Sequence, residues 1–134
     1  MGDHLEMLRE LRENGESCSQ VMMHMTMMRL GVEDEHLIAA MKGLAGGMGS
    51  SARHACGILT GIASAMALAD VKKGPELMFP EMYKWFSETY GEDHGGVKCT
   101  ELLDGDFNNR FARCSSMIED SLEKAAEILS KYGF

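Results

Sequence analysis

The sequence predicts an all-α fold: a compact bundle of about five to six helices around a central helix that is rich in glycine and alanine. Apolar residues recur every three or four positions along most of the chain, which is the spacing of helices with one buried face. No run of β-branched and aromatic residues alternates as a half-buried strand does. With 134 residues the chain has the length of one domain, so we expect residues 1–134 to form a single unit.

Capping residues and chain breakers set the bounds of each element. Serine and acidic side chains favour the first turn of a helix, glycine favours its end, and proline interrupts it. The predicted helices are, in order, a short one that carries Leu5, Leu8 and Leu11 and closes near Gly15; one from Ser17 to about Leu30, stopped by Gly31; one from about Asp34 to Leu44; one from about His54 to Val71; one from Pro75 to Tyr90, interrupted or kinked at Pro80; a short one from Val97 to Leu103; and one from about Asn109 to Tyr132.

The segment between the third and fourth helices contains Gly46, Gly47 and Gly49 together with two serines, which indicates a flexible or tightly turning loop. The fourth helix follows it and is built largely from small residues. Such residues let neighbouring helices approach closely, so we expect this helix to be the central one. The stretch from Gly91 to Gly96 is predicted to be a second loop.

Composition narrows the functional class. The formal net charge is −8, with 21 acidic and 13 basic residues, which argues against a nucleic-acid-binding or membrane-binding surface because both need clustered Lys and Arg. No signal peptide and no apolar stretch long enough to span a bilayer is visible, so we expect a cytoplasmic protein. Thirteen methionines would be an oxidation liability in air, which favours a reducing or anaerobic host.

Four cysteines are the candidate working residues: Cys18, Cys56, Cys99 and Cys114. Cytoplasmic thiols stay reduced, so such cysteines are more often metal ligands or redox groups than structural bridges. Three of them, all but Cys99, fall near predicted helix starts, where free N–H groups favour a thiolate and lower the pKa of a thiol. The plain alternative is that they are inert, because cysteine often packs as a small apolar residue.

The order of these cysteines resembles a known family. Cys18 precedes a glycine loop, Cys56-Gly57-Ile58-Leu59-Thr60-Gly61 follows that loop, Cys99-Thr100-Glu101-Leu102-Leu103 comes next, and Cys114 opens the last helix. This pattern is similar to that of the redox-active protein family named for its C_GCAxxG_C_C cysteines, which is related to the N-terminal region of split-Soret cytochromes. Here Ala55 precedes and Gly57 follows the second cysteine, which departs from the literal Gly-Cys-Ala string.

The resemblance implies redox function. It suggests that Cys18, Cys56, Cys99 and Cys114 are metal ligands. A glycine loop lets backbone N–H groups approach an anionic cofactor, so Gly46, Gly47, Gly49 and Gly57 are candidate cofactor-binding residues. Gly57 and Gly61 lie one turn apart and would open a groove beside Cys56, either for a cluster or for a packed helix. No C-x-x-C-H motif occurs, so covalent haem is not implied.

Two functions remain open on this sequence. The first is a cysteine-ligated iron–sulfur protein in electron transfer or redox sensing, whose partner would be another redox protein. The second is a metal-free thiol–disulfide protein in which Cys56 attacks and another cysteine resolves. A structural zinc site is disfavoured because no closely spaced cysteine pair exists, and the sequence does not decide whether the protein is an enzyme.

Three further features have plainer readings. The methionine run from Met22 to Met28 could bind copper(I), but it is more typical of a buried core, and a homodimer interface would supply part of that burial. His54 is read as an exposed residue at a helix start rather than as a ligand. Aromatic residues and methionines between Met78 and Phe86 lie at helical spacing and predict core packing.

Overall fold

The computed structural model describes the backbone of residues 2–134, and the side chains of that range other than those of residues 2–4, 107 and 110–112. Helices account for most of the chain. In order they are α1 (Gly2–Glu13), α2 (Cys18–Leu30), α3 (Glu35–Met41) with a 3₁₀ turn at Lys42–Leu44, α4 (Gly57–Ala69), a π turn at Gly74–Met78, α5 (Phe79–Phe86), a π turn at Ser87–Gly91, α6 (Glu92–His94), α7 (Cys99–Leu102), a 3₁₀ turn at Phe107–Asn109 and α8 (Arg110–Lys131).

The all-α prediction is confirmed. In residues 2–134 the only extended pairing is an isolated antiparallel bridge between Ala55 and Lys98. Within the same range, no helix has the length and the apolar character needed to cross a membrane. The bundle packs around α4, which contacts α2, α5 and α8.

The most extensive helix pair is α2 with α4. Ile58, Leu59 and Ile62 on α4 are almost completely buried. Gly61 faces α2 so closely that a β-carbon there would lie 2.7 Å from the Ser19 carbonyl oxygen. Because Gly61 has no side chain, the two helix backbones meet directly. The sequence left open whether the groove opened by Gly57 and Gly61 holds a cluster or a packed helix. At Gly61 the groove is filled by helix α2.

The methionine run on α2 is buried within the chain itself. Met22, Met23, Met25 and Met27 are each at most 6 % exposed, whereas Met28 is 46 % exposed. Methionine is unbranched and fills irregular gaps well, and it does so here against α4 and α8. The burial that suggested a homodimer is therefore supplied by the chain's own helices.

The helix predicted from Pro75 to Tyr90 extends further than expected. Pro80 does not break it, because the chain reaches this residue through a π turn, in which the Phe79 N–H donates to the Gly74 carbonyl. A second π turn carries the helix past Gly91 to His94, where Gly95 stops it at a φ of 82°. The predicted loop from Gly91 to Gly96 is therefore wrong over its first four residues, which are helical. The two π turns, which are wider than α-helical turns, allow the helix to continue past Pro80 and Gly91.

The last helix buries the apolar residues that recur along it at helical spacing. Ile118, Leu122, Ala125 and Leu129 on α8 are each at most 4 % exposed. At the end of α8, the Lys131 ammonium lies 2.9 Å from the Glu81 carboxylate on α5, and the Tyr132 hydroxyl donates to the same oxygen. The C-terminal turn is thereby fixed to α5. Met78, Met82 and Phe86 are fully buried, which confirms the core packing predicted for this segment.

Replacing Gly61 by alanine should destabilise the protein. The new methyl group would meet the Ser19 backbone and the Met22 side chain, and overpacking of this kind costs about 1–3 kcal/mol. Urea unfolding followed by circular dichroism measures the change. Gly43→Ala is the matched control, because nothing lies within 4 Å of a β-carbon at that exposed position. Equal stability of the two variants would contradict the close approach of α2 and α4.

Candidate redox site

The glycine loop is a tight left-handed turn. Five consecutive residues, from Gly46 to Ser50, have φ values between 59° and 74°, and Ala52 shares this conformation at a φ of 61°. Gly49 and Ala52 donate backbone hydrogen bonds to the carbonyls of Gly43 and Gly46, at 2.7 and 2.8 Å. Residues other than glycine are strained in this region, so these hydrogen bonds hold a conformation that the chain does not favour by itself.

The isolated bridge places Cys56 beside Cys99. The Cys56 N–H donates to the Val97 carbonyl at 3.0 Å, and the Cys99 N–H donates to the His54 carbonyl at 2.9 Å. These bonds occupy the backbone of residues 54–56, so α4 begins at Gly57 with Cys56 as its N-cap. The predicted start at His54 is therefore wrong by three residues. His54 is exposed as expected, but it belongs to the bridge and not to a helix start.

Cys18 reaches the same place from α2. It is the first helical residue after the N-cap Ser17, and its sulfur contacts the position that a β-carbon on Gly57 would occupy. Gly57 is also packed against the backbone of Ala45, at the entry to the glycine loop. The glycine that follows Cys56 thus gives the Cys18 thiol its place next to the Cys56 backbone.

A small polar cluster fixes the segment that carries Cys99 to the helix that carries Cys114. The Arg113 guanidinium donates to the Leu102 carbonyl at 2.8 Å and to the Asp104 carboxylate at 2.7 Å. His94 contacts the other oxygen of Asp104 at 3.0 Å. His94 and Arg113 together hold the pKa of Asp104 below its usual range. Because Arg113 directly precedes Cys114, this cluster sets the separation between α7 and the fourth cysteine.

The four cysteines are close enough to influence one another's charge. Burial raises the pKa of the Cys56 thiol well above its usual value, and repulsion from the Cys18 thiolate raises it further. The Ile58 N–H hydrogen-bonds Cys56 and lowers its pKa, but this effect is smaller than the first two. Cys114 and Cys99 raise it by lesser amounts. The four cysteines, carried by α2, the N-cap of α4, α7 and α8, therefore lie in one region of the fold.

The expected lowering of the Cys56 pKa at a helix start is wrong. Cys56 is 7 % exposed, and desolvation of the thiolate outweighs the favourable N–H groups of the first turn of α4. Cys99 behaves similarly: burial first, and then Cys114 and Cys18, raise its pKa to about 11. Both thiols are therefore neutral near pH 7 in the absence of a compensating positive charge. Cys18 and Cys114 are half-buried.

The glycines that the sequence singled out have unequal surroundings. Gly47 is packed so that a β-carbon would lie 2.9 Å from the Cys99 β-carbon and from the Ala52 backbone. Gly46 faces Ser50, whereas nothing lies within 4 Å of a β-carbon on Gly49. Gly47 therefore leaves room for the Cys99 side chain, as Gly57 leaves room for the Cys18 sulfur. Gly46 and Gly49 serve the turn itself through their positive φ values.

Sequence reasoning missed the residues that position the thiols. Arg113, Asp104 and His94 carry no motif, and an Arg next to a cysteine is an uninformative signal on its own. The Ile58 N–H was equally invisible, because the helix was expected to begin earlier. Among the side chains described, no three or more histidine, cysteine, aspartate or glutamate residues are arranged to hold a single metal ion in common.

The comparison with family models decides the affiliation of the chain. Residues 16–128 match the model described as "Putative redox-active protein (C_GCAxxG_C_C)". The chain belongs to this family. The match covers all four cysteines, the glycine loop and the Arg113 cluster. The site described above therefore lies entirely within the region that matches the C_GCAxxG_C_C model. No curated protein and no solved structure matches the chain.

The raised thiol pKa values predict that the reduced, metal-free protein loses stability in alkali. Below about pH 8.5, the usual pKa of a thiol, the folded and unfolded states both keep the Cys99 proton. Between that pH and about 11 the folded state keeps it and the unfolded state releases it. Stability is therefore complete below this window and falls through it, by about 1.4 kcal/mol for each unit by which the pKa is raised.

Urea unfolding under argon at about pH 7 and about pH 10.5 tests this, because the first value lies below the window and the second lies well inside it. Cys99→Ser is the comparison, since it removes the titrating group and leaves the remaining cysteines. We expect the variant to lose less stability than the wild type over the same interval. An equal loss in both proteins would show that Cys99 does not carry the effect.

Proposed function

We propose that this protein is a redox protein that binds an iron–sulfur cluster through Cys18, Cys56, Cys99 and Cys114 and acts in electron transfer or redox sensing. The observation that carries the proposal is a set of contacts that link the four segments bearing these cysteines. The Cys18 sulfur lies against Gly57, the residue next to Cys56. Backbone hydrogen bonds join residues 54–56 to residues 97–99, and Arg113, next to Cys114, donates to the Leu102 carbonyl at the end of α7. Thiolates are the protein ligands that iron–sulfur clusters use. Such a cluster would accept and release single electrons.

The donor set fits the chemistry of such a group. Two of the thiols, Cys56 and Cys99, are buried, which raises their pKa values, and the charges of neighbouring cysteines raise them further. Bound iron would supply the positive charge that stabilises all four as thiolates. Ligand sulfurs around a cluster stand further apart than around a single ion, because iron and sulfide atoms of the cluster lie between them.

The surrounding residues have definite tasks in this proposal. Cys18 and Cys56 lie at the N-terminal ends of α2 and α4, where the helix dipoles favour negative charge. The Ile58 N–H would hydrogen-bond the ligand sulfur of Cys56, an interaction that tunes the potential of a cluster. Burial of Cys56 and Cys99 would keep water from the iron.

One observation favours a second function, which is thiol–disulfide exchange. The Cys18 sulfur lies against Gly57, the residue next to Cys56, so these two cysteines are the candidates for a disulfide. The raised pKa of Cys56 opposes this function, because exchange needs a thiolate nucleophile and reactive cysteines have lowered pKa values. We therefore prefer the cluster.

Purification without oxygen tests the proposal. We expect a brown protein with visible sulfur-to-iron absorption and with both iron and acid-labile sulfide bound. Replacing any of the four cysteines by serine should lower the iron content at least about twofold, since each removes one ligand. Ser115→Ala, an exposed substitution next to Cys114, is the matched control and should leave iron unchanged.

A colourless, iron-free protein after anaerobic purification would overturn the cluster. Mass spectrometry of alkylated samples, with and without reductant, then tests the second function. A disulfide between Cys18 and Cys56 that reductant opens would support thiol exchange. Four reduced thiols under both conditions would exclude both functions.

Gly57→Ala tests whether the place of the Cys18 thiol matters for the site. The new methyl group would occupy the position of that sulfur, so we expect it to displace Cys18 and to reduce bound iron per chain by at least about half, as loss of one ligand does. Gly43→Ala is the control, because it adds the same methyl group in open space. Wild-type iron content in Gly57→Ala would contradict a ligand role for Cys18 in its present position.

A further inference from the structure

A groove on the opposite half of α2 from the cysteines is unaccounted for by the redox site. It lies between α1, α2 and α3 and has a volume of about 670 Å³. Its floor is apolar, and its rim carries consecutive carboxylates. The described residues that line it are Met7, Leu11, His24, Met27, Met28, Gly31, Val32, Glu33, Asp34, Glu35 and Ile38.

We propose that this groove, the acidic methionine groove, binds a positively charged amphipathic helix of a partner protein. The proposal goes beyond the redox function and does not depend on it. It requires a floor that accepts apolar side chains and a rim that attracts cations. Both are present in the described residues of this groove, and each can be altered separately.

The floor is suited to apolar side chains of varied shape. Met7 and Met28 contribute flexible, polarisable thioethers at the groove surface, whereas Met27 is almost fully buried. Methionine-rich surfaces adapt to different helical partners. Met28 is 46 % exposed, although it lies on a helix whose other methionines are buried. An amphipathic helix laid in the groove would cover it, as in helix-in-groove recognition.

The rim selects the charge of the occupant. Glu33, Asp34 and Glu35 are all exposed, and no Lys or Arg is among the described residues that line the groove. Cationic side chains along one edge of a docked helix would therefore meet complementary charge and no local repulsion. A second copy of this chain is a poor occupant, because each copy carries a formal net charge of −8.

His24 is held in place at the groove wall. Its Nδ1 atom lies 2.7 Å from a carboxylate oxygen of Glu16, so the ring is fixed by a neighbour in the turn before α2. Asp34 is likewise engaged, because its side chain accepts from the N–H groups of His36 and Leu37 and caps α3. Glu33 and Glu35 are therefore the rim residues to change, since the cap then stays intact.

The test uses two synthetic helical peptides that share one leucine face, one with lysines and the other with glutamates on the opposite face. Fluorescence anisotropy of the labelled peptides measures binding to the full chain. We expect the lysine peptide to bind, to weaken as salt is raised, and to exceed the glutamate peptide by at least about tenfold in affinity. Equal affinity of the two peptides, or no binding of either, would overturn the proposal.

Charge reversal tests the rim. Glu33→Lys/Glu35→Lys should weaken the lysine peptide by at least about tenfold. The control is Glu88→Lys/Glu123→Lys, which changes the net charge equally at two exposed positions outside the groove. Similar weakening by both double variants would mean that net charge, and not the groove, attracts the peptide.

Two further measurements test the floor. Met28→Gln should weaken binding, whereas Leu77→Gln, at a residue of almost the same exposure (47 %) outside the groove, should not. Methyl resonances of Met7, Met27 and Met28 in the unmodified protein should shift on addition of the peptide, and those of the buried Met66 should stay. Shifts confined to methionines outside the groove would contradict docking there, whatever the variants show.

Discussion

The close approach of α2 and α4 is the contact on which both the core and the site depend. Along one side of α4, Gly57 and Gly61 lack side chains, and α2 fills the space, with the Cys18 side chain at Gly57 and the helix backbone at Gly61. At Gly61 this brings the helix backbones together over Ser19 and closes the core. At Gly57 the same approach puts the Cys18 sulfur against the N-terminal end of α4. The same helix contact therefore both closes the core and positions Cys18.

Burial gives this group of thiols its chemical character. A helix start normally favours a thiolate, but at Cys56 the loss of water and the neighbouring cysteines have the larger effect. A partly buried group of thiols is stable when the thiols are protonated, joined as disulfides or neutralised by bound cations. Protonated thiols are poor nucleophiles and do not bind metal, so the two functions proposed above depend on the other two states. The iron analysis and the alkylation experiment described above distinguish disulfides from bound cations.

The sequence predicted the fold well where a local signal decides the structure. Ser17 and Gly31 bound α2 as expected. The apolar residues spaced along α8 are buried, as helical spacing of this kind predicts. Prediction failed where distant backbone groups intervene. The start of α4 moved because residues 54–56 pair with residues 97–99, and Pro80 was accommodated by a π turn that no local propensity indicates. For the site, the order of the cysteines in the sequence indicated the family. Their burial and the polar cluster around Asp104 could not be predicted, because both depend on contacts between helices.

The two ends of α2 have different tasks in the two proposals. Cys18 opens the helix, and Met28 lies ten positions later, which is about 15 Å along a helix at its usual rise. A partner helix in the acidic methionine groove would therefore leave the thiol end uncovered, while the single rigid element α2 connects the two. Since Glu33 and Glu35 lie far from the cysteines in the chain and beyond the opposite end of α2, docking and redox chemistry can be altered independently. Any dependence of one on the other would then have to pass through the packing of α2 on α4, at Gly57 and Gly61.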